Sequence, residues 1–333
     1  MLKESEIRPD ALMAGQAERL ANDVRRLLLH KGSFVAVPCP ACDSGRWQPA
    51  YRKYEIQFVT CSDCGTVYAN PRPRPEQLAE YYSASENYAY WNQFIFPASE
   101  PARREKIFRP RVRKVLDLCQ RFAIPTDALL EVGSGFGTFC EELSKTGVFR
   151  RIVAVEPTPE LAQTCRQRGL SVIEARIEEA EIHEPVDVVV SFEVIEHLFS
   201  PREFLRKCHT LLRPGGVLML TCPNVQGFDD VTLRERSSAV DHEHINLFHP
   251  DSLSMLLSAC GFQVIETQTP GQLDAELVRK QVQAGQISLD GQPFLQRVLI
   301  DEWDRLGEKF QTFLSENRLS SNMLVVGKKP SHG

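Results

Sequence analysis

The 333-residue chain has no run of eighteen apolar residues, so no segment reads as a membrane span. It has no basic excess: 39 Lys and Arg stand against 44 Asp and Glu, a net charge of −5, which argues against a general nucleic-acid binder. No apolar leader opens it. Lys3, Glu4, Glu6, Arg8 and Asp10 come before any apolar segment, and no secretory segment is expected. No internal repeat and no low-complexity run appears. The ten cysteines are too dilute for a disulfide scaffold. Cys119, Cys140, Cys165, Cys208, Cys222 and Cys260 lie in apolar or helical stretches and read as small buried hydrophobes in a reducing cytoplasm. The remaining composition, 42% hydrophobic and 25% charged, is that of an ordinary globular protein.

Against this plain background one stretch stands out. Residues 129–139 run from an apolar strand through Gly133, Gly135 and Gly137 into a helix. Glycine there lets backbone approach a ligand, and the helix start turns its free N–H groups to the same place. A second strand, 151–156, ends in Glu156, about twenty residues on, where an acid takes the hydroxyls of a ribose. Strand and helix then alternate: Ala128–Val132, a helix, 151–156, 159–168, 171–174, 186–191, 201–212, 217–221, 253–260 and 261–266. That alternation predicts a parallel sheet with helices on both faces and ligands at the carboxyl ends of the strands. Apparent helices fill 274–318, and 321–327 is expected to return as a last strand.

Four motifs fall in order: Glu131-Val132-Gly133-Ser134-Gly135-Phe136-Gly137, Val155-Glu156, the run from Asp187 to His197, and Leu212-Arg213-Pro214-Gly215-Gly216. Over residues 126–270 they resemble class I S-adenosylmethionine-dependent methyltransferases. The resemblance implies an α/β fold, a doubly wound Rossmann-like sheet. It places Gly133, Gly135 and Gly137 along the methionine and ribose of the donor, Glu131 toward its ammonium and Glu156 on the ribose. Ile177 would cover the adenine, with Phe192 also at the donor. Arg176 stands where this family commonly has an acid.

Ahead of that region, Cys39-Pro40-Ala41-Cys42 and Cys61-Ser62-Asp63-Cys64 are two C-x2-C knuckles, the spacing of a four-thiolate zinc site. Gly45 and Gly65 follow the knuckles, where a tight turn is expected to need positive φ. A hairpin is expected between them. Four ligands complete the coordination, so such a zinc is structural. The arrangement resembles the zinc ribbon fused ahead of many bacterial sugar and polysaccharide methyltransferases. Pro71, Pro73 and Pro75 make a stiff connector. The implied organisation is a helical segment (1–34), the ribbon (35–72), a helical connector or lid (73–125), the donor-binding core (126–270), and C-terminal helices with a final strand (271–333). In the connector, Tyr81, Tyr82 and Tyr88 either pack as a lid or wall the pocket.

Glu193, Glu196 and His197 fall at i, i+3 and i+4, and on a helical turn they would share one face. Two carboxylates and an imidazole suit a divalent ion. With the downstream run 241–248 they resemble metal-dependent O-methyltransferases acting on vicinal hydroxyls, among them small-RNA terminal 2′-O-methyltransferases and ubiquinone-pathway catechol methyltransferases. The resemblance makes His244 the histidine that completes an E-x-x-E-H set around Mg²⁺ or Mn²⁺. The same E-V-I-E-H also occurs in class I enzymes that use no metal. His197, His242 or His244 would then be the general base.

The leading expectation is O-methylation of a sugar, nucleotide-sugar or other polyhydroxylated small acceptor. C-methylation of a nucleotide-linked keto-sugar is the alternative within the same chemistry. An RNA methyltransferase gripping RNA with its ribbon is a third, opposed by the net charge.

Overall fold

The computed structural model describes residues 2–331. Eleven strands occur among them: β1 (Trp47–Lys53), β2 (Ile56–Cys61), β3 (Val67–Ala69), β4 (Ala128–Val132), β5 (Arg151–Val155), β6 (Ser171–Ile173), β7 (Val186–Phe192), β8 (Leu212–Pro223), β9 (Asn246–Leu247), β10 (Gln263–Gln268) and β11 (Asn322–Lys328). Seven form one sheet in the order β10-β11-β8-β7-β4-β5-β6. β8, β7, β4, β5 and β6 run parallel, and β11 lies antiparallel between β8 and β10.

β4 and β7 are apolar along nearly their whole length and buried at every position, as a strand covered on both faces must be. Alternate residues feed two cores. Leu129, Val188, Val190 and Met219 pack with Val115 and Leu118 of the helix Arg109–Arg121 and with Phe139 and Leu143 of the helix Thr138–Ser144. Leu130, Val132, Val189 and Leu220 pack with Phe204 and Leu205 of the helix Pro201–Leu211 and with Leu253 and Leu257 of the helix Pro250–Ala259.

The second core does not stop at the sheet's own helices. Cys39, Ala41, Val59, Cys61 and Tyr68 of the ribbon belong to the same apolar cluster. The ribbon sheet has the order β1-β2-β3-β9, and its fourth strand comes from beyond β8 in sequence. Tyr68 pairs with Asn246 and Val67 with Leu247, so the stretch just after His244 is a ribbon strand.

The first 30 residues give a short helix, Glu4–Ile7, and a long one, Asp10–Leu29. Helical turns run from Pro75 to Arg121 with brief interruptions. A smaller core around Ala275, Val278, Leu289 and Leu299 holds the C-terminal helices together. No helix among the described residues is long and apolar enough to cross a membrane.

Candidate active site

The turn after β4 is built as a cradle. Gly133 N–H donates to Val155 O at 2.9 Å, locking the loop to β5, and Gly137 caps the helix Thr138–Ser144 in the left-handed region (φ +70°). All three glycines have positive φ, but for different neighbours. A Cβ on Gly133 would meet Val194 Cγ2 at 2.5 Å, and one on Gly137 would meet Leu170 Cδ1 at 2.5 Å. These two are glycine because of the protein's own packing. Around Gly135 nothing among the described residues lies within 4 Å of the added Cβ, so the open side of the loop is here.

Two carboxylates flank that opening. Glu156 accepts from Gly135 N–H at 2.8 Å and from Thr158 N–H at 3.0 Å. Burial raises its pKa against those two bonds. Glu131 is buried at the end of β4, and burial pushes its pKa up to about 8; the Cys140 thiol, donating to it at 3.0 Å, and the Arg111 charge partly offset this. Ile177 is buried beyond β6, beside an exposed Arg176 that pairs with Glu179. Phe192 packs edge-on against Phe139 and carries the Arg111 guanidinium 4.5 Å above its ring. These groups, an open loop with a buried acid only partly compensated and a second acid holding its backbone, fit an S-adenosylmethionine-type donor with an ammonium and a ribose.

Past β7 the chain departs from the helical turn that the spacing of Glu193, Glu196 and His197 suggests. Glu193 sits at φ +57°, and only Ile195–His197 forms a single 3-10 turn. The left-handed residue swings Glu193 away from the other two. It accepts from Arg111 at 3.1 Å, Thr221 Oγ1 at 2.6 Å and Asn322 Nδ2 at 3.1 Å. Glu196, His197 and His244 do come together, with one ligand atom from each lying within 4.8 Å of the others. Among the described residues neither oxygen of Glu196 has a hydrogen-bond partner, though the residue is 1% exposed. Burial, then the nearby Glu193 charge, hold its pKa well above the usual carboxylate range. A buried carboxyl left this way needs a proton or a cation.

The imidazoles differ in what they have free. His244 Nδ1 lies 2.8 Å from Ala239 O, which can only accept, so Nδ1 carries a proton and Nε2 is the nitrogen left for a ligand. His197 Nδ1 meets the Tyr82 hydroxyl at 3.2 Å, and burial, then His244, hold its pKa well below the usual imidazole value. His242 is engaged at both nitrogens: Nδ1 with Asp241, Nε2 with the Tyr81 hydroxyl at 2.6 Å. Burial opposes its cation, but Asp241 and Glu243 lift its pKa above the ordinary value. Tyr81 O–H also donates to Glu243 Oε1 at 2.6 Å. Tyr81, Tyr82 and Tyr88 therefore stand against this cluster, with Tyr82 and Tyr88 in edge contact at 5.6 Å. Arg111, Asn246 and Glu243 escape a reading of the sequence: Arg111 is one of several bases in 109–114, Glu243 and Asn246 lie among the histidines of 241–248, and only the fold shows which of them reach the site.

In the ribbon, Cys39 Sγ and Cys64 Sγ lie 3.5 Å apart, as do Cys42 Sγ and Cys61 Sγ, and all four sulfurs are within 4.8 Å of one another. Tetrahedral zinc with Zn–S bonds of about 2.3 Å needs sulfurs roughly 3.8 Å apart, so the set fits that ion. The Cys64 thiol is drawn down to about 4, chiefly by the Cys39 thiol that donates to it. The left-handed residue after the first knuckle is Asp43 (φ +59°), not Gly45; after the second it is Gly65 (φ +74°). Asp43 takes that place because its own N–H closes the turn onto Cys39 O at 2.9 Å, two residues before Gly45.

Residues 103–267 match a family model described as a methyltransferase domain. A ubiquinone biosynthesis O-methyltransferase of Bradyrhizobium sp. (strain ORS 278) is 28% identical over 165 residues, 45% of this chain and 62% of the relative. A probable S-adenosylmethionine-dependent methyltransferase of Mycolicibacterium smegmatis is 32% identical over 142 residues, 42% of this chain and 53% of the relative. The chain thus spans less than two thirds of either relative's own length. The solved structure of an S-adenosylmethionine-dependent methyltransferase from Clostridium acetobutylicum shares the fold, with a TM-score of 0.50 at 11% identity over 72% of this chain and 99% of that one.

Proposed function

Through residues 103–267 this chain belongs to the class I S-adenosylmethionine-dependent methyltransferases, and from that premise we propose O-methylation of a small acceptor with adjacent hydroxyls. The carrying observation is Glu196, buried with both oxygens free of hydrogen bonds among the described residues, beside His197 and the Nε2 side of His244. A sugar or nucleotide-sugar is the acceptor class we favour, because the four-cysteine module ahead of the domain resembles that of bacterial sugar methyltransferases. The relatives named for O-methylation support oxygen as the methylated atom.

In this reading Gly135 leaves room for the donor, Glu131 meets its ammonium and Glu156 its ribose. Methyl passes in line from the donor sulfonium to the acceptor oxygen, which loses its proton as the O–C bond forms; the chain's part is positioning and proton removal. Glu196, His197 and His244 would hold a divalent ion. Mg²⁺ or Mn²⁺ there would grip two neighbouring hydroxyls and lower the pKa of one. Tyr82 steadies His197, and the Asp241–His242–Tyr81–Glu243 chain fixes the wall behind it. Cys39, Cys42, Cys61 and Cys64 would hold a structural zinc, which needs a reducing compartment such as the cytoplasm.

The test is a panel of nucleotide-sugars, short glycans and catechols, scored for a donor-dependent mass gain of one methyl group. Activity should vanish after brief chelation and return with Mg²⁺ or Mn²⁺, and His244→Ala should be inactive with its donor affinity kept. Full activity in excess chelator with an inactive His244→Ala would make His244 a base and remove the cation. An active His244→Ala would place the acceptor elsewhere.

A further inference from the structure

Arg72, at the ribbon's exit, is 1% exposed and has carbonyls and an amide for partners where a buried guanidinium usually has a carboxylate. Nε donates to Ala69 O at 3.2 Å, Nη2 to Ile245 O at 3.2 Å, and Nη1 to Phe199 O at 3.3 Å and Asn246 Oδ1 at 3.0 Å. Its acceptors come from three places: the ribbon strand β3, the segment after His197 and the segment after His244. Asn246 continues the chain. Its Nδ2 donates to Leu198 O at 2.7 Å and reaches Glu196 O at 3.3 Å and Ile195 O at 3.4 Å. Asn246 is itself a strand residue of the ribbon sheet, paired with Tyr68. A last tie runs from His249 Nε2 to Cys64 O at 2.7 Å, on a metal-knuckle residue.

So the backbone of Ile195–His197 and the backbone after His244 are hung from the ribbon by polar bonds buried in the shared core. Neither segment has a long helix or strand of its own to hold it. We propose that Arg72 and Asn246 are positioning residues that tie the ribbon to the Glu196–His197–His244 cluster, so that the ribbon's metal occupancy sets how well the cluster binds a divalent cation. The ribbon thereby acts on the acceptor side by holding it in register. Donor binding is left alone, because the loop at Gly135 is anchored on β4 and β5 instead. The coupling to a cation rests on the proposed function; the structural tie does not.

Asn246→Asp, made in the whole 333-residue chain, separates the two halves of the link. It keeps an oxygen for Arg72 and removes the donor to the 195–198 carbonyls. Zinc content and S-adenosylmethionine affinity should stay at wild-type levels, while the Kd for Mn²⁺, read by electron paramagnetic resonance, should rise about 10-fold or more, as for other outer-shell partners. Unchanged Mn²⁺ affinity overturns the proposal. Hydrogen exchange decides the tie even if the wild type takes up no Mn²⁺, an outcome that would sink the cation reading alone. In zinc-free Cys61→Ser, exchange should quicken at residues 194–199 and 243–247 and stay slow at 129–132. Equal protection in the zinc-bound and zinc-free proteins overturns it.

Discussion

The Cys140 thiol lies 3.0 Å from Glu131 Oε2 and gives that carboxylate its one side-chain hydrogen bond among the described residues. A thiol is a weak donor, so burial wins and the Glu131 pKa stands at about 8.

This predicts proton-linked donor binding. Below pH 8 the free protein holds Glu131 protonated, and a cationic ammonium beside it favours the ionised form. Donor affinity should therefore rise with pH up to about 8, with a proton released on binding near pH 7. Calorimetry in buffers of different ionisation enthalpy measures that release, and Glu131→Gln should abolish it. The sign for stability is opposite. The folded pKa is raised above the ordinary glutamate value of 4.5, so the contribution of Glu131 to the empty protein is full below 4.5 and lost as pH rises through 8.

The three glycines of the loop should separate by assay. Gly133→Ala and Gly137→Ala drive a methyl group into Val194 and Leu170, so both should lower Tm. At Gly135 an added Cβ meets open space, so Gly135→Val should cost chiefly the left-handed backbone, roughly 1–2 kcal/mol. Its main effect should be loss of S-adenosylmethionine binding, and undiminished binding by calorimetry would show that the donor does not use this opening.

Much of this arrangement is legible in the sequence. Nearly continuous apolar runs such as 128–132 and 186–190, each broken by one acid, mark covered parallel strands, and the glycine turn after the first of them marks the carboxyl end where a ligand sits. The cysteine spacing is equally explicit, because four thiolates at two knuckles have few other uses. What the sequence hides is set by single backbone angles and long-range contacts. Nothing in Phe192-Glu193-Val194 announces a left-handed Glu193, a conformation glutamate rarely takes. Asn246 lies in a two-residue strand whose partner is more than 170 residues away, and periodicity cannot register so short an element. The glycines of the loop look alike in sequence, and only the positions of Val194, Leu170 and Cys165 tell them apart.

That hidden turn gives the sharpest contrast among the acids. Glu193 and Glu196 have the same chemistry and lie three residues apart, yet they face different partners. Glu193 is satisfied by Arg111, Thr221 and Asn322; Glu196 is buried with no hydrogen-bond partner among the described residues. Glu196→Gln keeps shape and removes the only carboxylate of the three-residue cluster, so Mn²⁺ binding and chelator-sensitive activity should both be lost. Thermal stability should hold or increase, because the variant no longer buries an ionisable group without a partner. Glu193→Gln should instead keep Mn²⁺ affinity. It breaks the 3.1 Å pair with Arg111 and leaves that guanidinium facing Phe192 without its carboxylate, so it should lower Tm and weaken the donor side. Titrating both variants with Mn²⁺ beside their melting curves checks the assignment. Loss of Mn²⁺ binding in Glu193→Gln, with Glu196→Gln unaffected, would reverse the roles of the two carboxylates and place the cation on the Arg111 side of β7.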